Sequence, residues 1–250
     1  MIIPFIVILI ISTVFSMFGK GGGSLYTPVL VMLGLDLGAS IATALFLNLV
    51  TAFVATIVFA RNKLVDFKFC YIFLPGTILG SLLGALLSAR APRELLLGIF
   101  SVFLYGAGAF MVFSKKETPG QTARSLDFNL IALIAVFSFG VGILSSLIGV
   151  GGGLVIFPFL VLYMKYPAQK AAGANAFIVA VSSQVGTAGH FASAHAPLPL
   201  MLATSAACVI GSTIGSHVTV KASPAFVKIA FAFVMWFFAT QIALKLFGVL

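Results

Sequence analysis

The stretch Gly19-Lys20-Gly21-Gly22-Gly23-Ser24-Leu25-Tyr26-Thr27-Pro28 decides how this chain is read. It recurs as Gly149-Val150-Gly151-Gly152-Gly153-Leu154-Val155-Ile156-Phe157-Pro158. Each copy interrupts an apolar run with four glycines in five positions and places a proline five residues beyond the last of them. Glycine reaches positive φ at little cost and lets other groups come close, so the backbone leaves helical geometry here. In a membrane such backbone is tolerated only where protein or a polar cavity satisfies its hydrogen bonds. Two broken helices at matching points of a repeated chain are the usual pointer to a transporter's binding site.

The surroundings of the glycines fix the class. Of 250 residues, 61% are hydrophobic and 8% are charged, against about 25% charged in soluble domains. The mean hydropathy is +1.22. Apolar stretches recur along the whole length with short polar connections, which reads as one transmembrane transport domain over residues 1–250. The net charge of +9 comes from 14 basic residues scattered between apolar segments, so they act as topology signals and not as a nucleic-acid stripe. Membrane lipid is the expected surrounding partner. Cys70 and Cys208 both lie within apolar stretches and imply no disulfide framework. No cofactor or metal is expected.

Residues 1–18 have the look of a secretory signal. They carry no Lys or Arg at their start, and they correspond to residues 128–148, which lie mid-chain and cannot be one. After the first glycines, residues 24–35 form a piece of 12 residues that would span about 18 Å as a helix, short of a core of roughly 30 Å. Full-length candidates follow at 39–60, 67–89 and 94–113, and a polar run, 114–127, links the halves. The second half repeats the order with 128–148, the glycine break, a short 154–164, then 168–191, 199–220 and 224–249. Repeat 1 is thus about 1–113 and repeat 2 about 128–250. Gly80-Ser81-Leu82-Leu83-Gly84 matches Gly211-Ser212-Thr213-Ile214-Gly215, and Thr56 matches Thr187, at an offset of 131.

Charge distribution bears on how the broken segments sit. If each broken segment and its short successor form a hairpin that returns to its starting face, ten basic residues from Arg61 to Lys228 fall on one side and only Arg90, Arg93 and Lys245 opposite. If each pair makes one crossing, the loops divide evenly. The positive-inside rule prefers the hairpin. Three crossings per half is odd, so the second half enters from the other face. The expected fold is an all-α polytopic membrane protein of two inverted-topology repeats, each a glycine-broken helical hairpin plus three transmembrane helices. Both termini lie outside the cytoplasm in this reading.

Hairpins dipping from opposite faces bring Gly21, Gly22 and Gly23 towards Gly151, Gly152 and Gly153 near the midplane. Short helices starting at Ser24 and Leu154 would aim free N–H groups and positive dipole ends into the gap, an anion-binding arrangement. Lys20 adds an ammonium inside an apolar stretch, which usually faces a cavity; its other reading is a snorkelling cation at the tip. Thr43, Asn48 and Thr51 in the first half, with Asn175, Ser182, Ser183, Gln184 and Thr187 in the second, would line the same gap or tie helices together. The spacing Gly80–Gly84 and Gly211–Gly215 reads as close helix packing, or as the contact of a homodimer. His190, His195 and His217 read as structural or solvated. Asp36, Asp66, Glu94, Glu117 and Asp127 all fall in or beside loops. With no midplane carboxylate to hold a proton or sodium ion, uncoupled, electrogenic anion efflux is expected.

The two Gly-x-Gly-Gly-Gly-x-x-x-x-Pro motifs, the Ala42-Thr43-Ala44 and Ala172-Gly173-Ala174-Asn175 helix starts, and the segment order over essentially the whole chain resemble the sulfite exporter TauE/SafE family. The resemblance implies a bacterial or archaeal inner-membrane permease exporting small sulfur-containing anions such as sulfite or organosulfonates like sulfoacetate. Two positions depart from the pattern: Ala174-Asn175 stand where members often carry Thr-Ser, and Lys20 stands where the second motif has Val150. Both retune the anion chosen. Competing readings are a proton-coupled permease for another small organic anion, a thiol redox carrier, a hydrolase and a non-transporting assembly subunit. Cys70 and Cys208 do not correspond by repeat, and no Gly-x-Ser-x-Gly is present, so the carrier and hydrolase readings are the weaker ones and the chain is not read as an enzyme.

Overall fold

The computed structural model describes residues 2–87, 93–113, 127–148, 152–191 and 198–246. Among them every regular element is helical: α1 (Ile2–Ser16), α2 (Gly23–Met32), α3 (Leu37–Arg61), α4 (Phe67–Leu87), α5 (Arg93–Phe113), α6 (Phe128–Ile148), α7 (Gly153–Pro158), α8 (Ala168–Phe191), α9 (Leu198–Lys221) and α10 (Pro224–Leu246). Helix starts are set by short polar side chains. Asp36 accepts from the Ala39 amide at 2.9 Å, Asp66 from Phe69 at 3.2 Å and Ser223 from Phe226 at 3.2 Å, each taking an N–H that has no partner within its own helix.

The short helices come out as the sequence length requires. α2 has 10 residues, or about 15 Å of rise. α7 runs on into one π turn, Phe159–Tyr163, directly after Pro158, which supplies no amide hydrogen to its helix. There Phe159 stacks on Phe137 of α6 at 3.8 Å and on Tyr163 at 5.2 Å.

The long helices pair across the halves: α1 with α9, α6 with α4, α3 with α8 and α5 with α10. Exchanging the halves maps this set of pairs onto itself. α3 and α8 run antiparallel, since Asn48 bonds Ser183 while Gly173 lies against Leu64 and Phe59. α5 and α10 are antiparallel too: Ser101 donates to the Ala239 carbonyl and the Trp236 indole to that of Tyr105. α1 and α9 run parallel, and so do α6 and α4. The glycines make these approaches possible. A Cβ on Gly80 would strike the Phe139 carbonyl of α6, and one on Gly211 or Gly215 would strike α1 at Ser12 or Thr13. These glycines serve packing within the chain, each against the first helix of the opposite half.

Among the described residues, six helices are long and apolar enough to cross a membrane, lying within α3, α4, α5, α6, α9 and α10. This set departs from the sequence expectation at two helices. α8, expected as a crossing, is long enough but too poor in large apolar side chains to count among them. It lies against α3, α4 and α10 with Ala171, Ala172, Ala174 and Ala176 buried, so it needs small residues for packing more than large ones for lipid. α6, expected to stop part-way as one arm of a hairpin, has 21 residues, about 31 Å, enough to cross by itself. α1 also reaches deep: Thr219, in the last turn of α9, donates to the Met17 carbonyl at 2.7 Å.

Candidate functional site

After α1 the chain turns through Gly19 (φ +64°) and Gly21 (φ +67°), both left-handed. Close contact demands glycine there as well: a Cβ on Gly19 would land on the Ala172 carbonyl oxygen of α8, and one on Gly21 on the Asn48 amide of α3. The turn therefore wedges between the two central helices before α2 starts at Gly23. The tip of the second half is described from Gly152 onward, and Gly151 lies outside the described residues. Gly153 is buried against the first tip, and a Cβ on it would sit 2.9 Å from Lys20 Cγ and 3.2 Å from Asn175 Nδ2. The two glycine segments meet at this point.

Lys20 is 3% exposed. Its ammonium donates to Ser24 Oγ at 2.7 Å and lies over the rings of Phe238 at 4.0 Å and Phe15 at 4.7 Å. Such cation–π contacts contribute up to about 2 kcal/mol when desolvated. No charged side chain among the described residues acts on it. A buried ammonium without a counter-charge costs several kcal/mol, which aromatic faces and one hydroxyl offset only in part. The snorkelling alternative does not fit this burial.

Asn48 ties elements together, one of the two roles its position offered. Its Oδ1 accepts from the Gly23 amide at 2.9 Å and its Nδ2 donates to Ser183 Oγ at 2.7 Å, so it caps α2 and ties α3 to α8. The first N–H of α2 is thereby occupied by protein. Thr51 bonds Tyr26, whose hydroxyl also receives the Cys208 thiol at 3.6 Å, and the Tyr26 ring covers Gly22. Asn175 Nδ2 donates to Phe18 O at 2.9 Å and Gly153 O at 3.2 Å, clamping both tips to α8. Its Oδ1 has no partner, and neither does the buried Thr43 hydroxyl.

Lys20, Gly21, Gly22, Gly23, Ser24, Asn48, Gly153 and Asn175 thus form one cluster, with Thr51 joined through Tyr26. Gly152 is the N-cap of α7 in ordinary right-handed backbone. Ser182 bonds the Val179 carbonyl of its own helix and Gln184 is exposed, so neither is drawn into the cluster. His217 is exposed and bonded to the Thr213 carbonyl. The His190 side chain and His195 lie outside the described residues. Sequence reasoning missed Phe15, Phe18, Tyr26, Phe231 and Phe238. Phe18, Phe157 and Phe231 form a ring cluster with centroids 4.2–6.2 Å apart. Phenylalanine suits lipid and core alike, so only the conspicuous spacing of Tyr26, four residues beyond Gly22, offered a signal.

Comparison with known proteins agrees with this architecture. The family model described as sulfite exporter TauE/SafE matches residues 4–242. Among similar proteins, the probable membrane transporter protein YunE of Bacillus subtilis (strain 168) is 26% identical over 85% of this chain and 86% of its own. The probable membrane transporter protein MJ0441 of Methanocaldococcus jannaschii is 24% identical over 92% of this chain and 91% of its own. No solved structure matches. With a match over nearly its whole length and, among the described residues, six apolar helices of membrane-crossing length, this chain belongs to the TauE/SafE sulfite exporter family of membrane transporters.

Proposed function

We propose that the protein exports a small sulfur-containing oxyanion, sulfite or an organosulfonate such as sulfoacetate, across the inner membrane by alternating access around its paired glycine tips. The observation that carries this reading is Lys20, buried with no charged partner among the described residues, held where the two tips meet and bonded to the second residue of α2. An anion there completes its charge balance and meets the positive end of the α2 dipole. The described acidic residues fit uncoupled efflux: Asp36 and Asp66 cap helices at their loops, and neither lies in the cluster.

The inverted arrangement of repeats 1–113 and 128–250 is part of the proposal. It is supported by the antiparallel course of the corresponding helices α3 and α8, and of α5 and α10. Together with the charge bias it puts both termini outside the cytoplasm. Single cysteines replacing Lys63 and Lys165 in a background without Cys70 and Cys208 should then be shielded from an impermeant outside reagent. Labelling of both from outside would overturn this topology.

Thermal stabilisation of purified protein against sulfite, sulfoacetate, taurine, thiosulfate and small carboxylates tests the substrate class. A ligand at 100 times its dissociation constant stabilises by about 2.7 kcal/mol. The reading expects sulfur oxyanions to do so in the parent protein and not in Lys20→Met. Stabilisation by carboxylates alone would replace it with a permease for organic anions.

A further inference from the structure

Three helical segments end in the same kind of turn. α2 stops at Gly34 (φ +90°), α3 at Lys63 (φ +58°) and the π turn after α7 at Lys165 (φ +55°), each a left-handed residue one step beyond the cap. In each, the next amide reaches back into the helix: Leu35 to the Leu30 carbonyl at 3.2 Å, Leu64 to that of Phe59 at 2.9 Å and Tyr166 to that of Leu160 at 2.9 Å. Glycine is the usual occupant of such a turn, because a side chain in left-handed backbone crowds its own peptide. Lys63 and Lys165 are the only non-glycine residues with positive φ among the described residues. Gly34 and Lys165 also correspond at the repeat offset of 131, so the same turn holds glycine in one half and lysine in the other.

The two lysines stand at one end of the molecule and Gly34 at the other, with α3 running from one to the other. The loops that carry the lysines touch: Phe69 stacks on Tyr166 at 4.9 Å, and the Leu64 carbonyl lies where a Gly173 side chain would stand. Both are exposed, as are Arg61, Lys68 and Lys170 beside them and Lys221, which the Gln169 bond to the Ala222 carbonyl brings to this end. Two carboxylates share the end, Asp66, which caps α4, and Asp127, just before the parallel α6. A helix dipole favours a cation after α3, but it acts equally after α2, where glycine stands. A topology signal needs loop charge at any position, and Arg61, Lys68 and Lys170 supply it from ordinary backbone. Neither effect accounts for lysine at the two positions that resist it.

The glycine tips lie near this end. Gly19 packs against Ala172 and Ala176, about 6 and 12 Å of helix rise from the first residue of α8. Measured from the other end, the Gly23 amide meets Asn48 about 16 Å into α3. Charge at the basic end therefore acts on an anion near the tips over a distance comparable to the screening length, about 10 Å at 0.1 M salt and about 30 Å at 0.01 M. We propose that Lys63 and Lys165 gather small anions from solution at this end and raise their concentration on the way to Lys20. This rests on the anion-export reading of the Lys20 site. The pair acts through its field and needs no pocket of its own. The enrichment grows exponentially with the charge of the anion and fades with salt, so a dianion such as sulfoacetate gains about the square of what a monoanion gains.

Initial uptake of labelled sulfoacetate and methanesulfonate into proteoliposomes of zwitterionic lipid tests this. The full-length parent is compared with a variant carrying Lys63→Gly and Lys165→Gly and one carrying Lys63→Arg and Lys165→Arg. Glycine suits both turns and the remaining loop charges keep the topology bias, so the glycine variant should melt at or above the parent temperature. At about 0.01 M ionic strength its KM should rise about fivefold for sulfoacetate and about twofold for methanesulfonate, with the maximal rate unchanged and the arginine variant like the parent. At about 1 M salt the three proteins should coincide. An unchanged KM in the folded glycine variant overturns the inference, and so does an equal rise for both anions or a rise that persists at high salt. A rise confined to vesicles containing anionic lipid overturns it too, by assigning the lysines to lipid headgroups. The parent alone decides if the variants fail to fold: its KM for sulfoacetate should climb with salt more steeply than that for methanesulfonate, and equal slopes refute the inference. No uptake of either anion by the parent would remove the export reading and this inference with it, whereas parental uptake matched by the glycine variant removes the inference alone.

Discussion

The two glycine tips have the same motif and different chemistry. Around the first, Lys20 is caged by Phe15, Phe238 and Ser24, Asn48 caps the following helix, and Tyr26 folds back over Gly22. Around the described part of the second, the neighbours are aliphatic: a Cβ on Gly152 would meet Val141 Cγ1 at 3.1 Å and Ile156 Cδ1 at 3.3 Å. The second tip contributes backbone, a carbonyl for Asn175 and a close approach at Gly153, where a Cβ would sit 2.9 Å from Lys20 Cγ. The two copies of the motif thus differ in use: the first carries a charged side chain, and the described part of the second carries close-packed backbone. A site assembled this way needs no symmetry in its ligand.

Substitutions at the tips separate the two halves of this comparison, and the largest effect belongs to Gly19. Its left-handed backbone costs a non-glycine residue about 1–2 kcal/mol, and the new Cβ would also collide with the Ala172 carbonyl, which belongs to a buried helix and cannot yield. Gly19→Ala should therefore lose about 4 kcal/mol or more, read as a collapse of the folded fraction in detergent by fluorescence-detected size exclusion. A well-folded Gly19→Ala would mean that the first tip is not wedged against α8.

A direct contrast comes from the corresponding residues Gly22 and Gly152. The motif alone gives no ground for treating the two differently. The surroundings now separate them: a side chain at Gly22 enters the Tyr26 ring, while at Gly152, which has φ −63°, it meets a Val141 methyl at 3.1 Å and the movable end of Ile156 at 3.3 Å. Gly22→Leu should abolish folding or transport. Gly152→Leu should keep the protein folded with a stability loss of about 1–3 kcal/mol, the usual range for overpacking. Melting curves of the two variants side by side decide this, and equal behaviour would erase the asymmetry.

Much of the fold could be read from apolar length. The boundaries of α6 and α8 fall where the apolar runs begin and end, because helix is the only way for a lone segment to satisfy its backbone in lipid. Meeting of the tips at Lys20 and Gly153 was legible as well, since both motifs had to be buried somewhere polar. What the sequence could not convey was partnership. Gly80 and Gly211 announced close packing without naming α6 and α1 as the partners. Phe238 could not be told from the lipid-facing phenylalanines of α10, such as Phe233 and Phe237, because both environments reward the same ring. Asn48 was legible as a residue that lines the gap or ties helices, and its bond to the buried Gly23 N–H at the start of α2 was not, because sequence does not say which amide lies nearest.

The central claim is that the charge at Lys20 moves anions. Its most direct test is efflux of labelled sulfoacetate or isethionate from proteoliposomes under an imposed potassium-diffusion potential, comparing the parent protein with Lys20→Met. A membrane potential acts on each unit charge with about 2.3 kcal/mol per 100 mV, so flux through the parent should follow the imposed potential and ignore sodium and pH gradients at fixed substrate protonation. Lys20→Met should insert and melt like the parent, because removal of a buried unpaired ammonium relieves as much as it loses, yet its flux should fall by about tenfold or more. Flux undiminished in Lys20→Met, or flux that persists when the potential is clamped to zero and follows the pH gradient instead, would contradict the account.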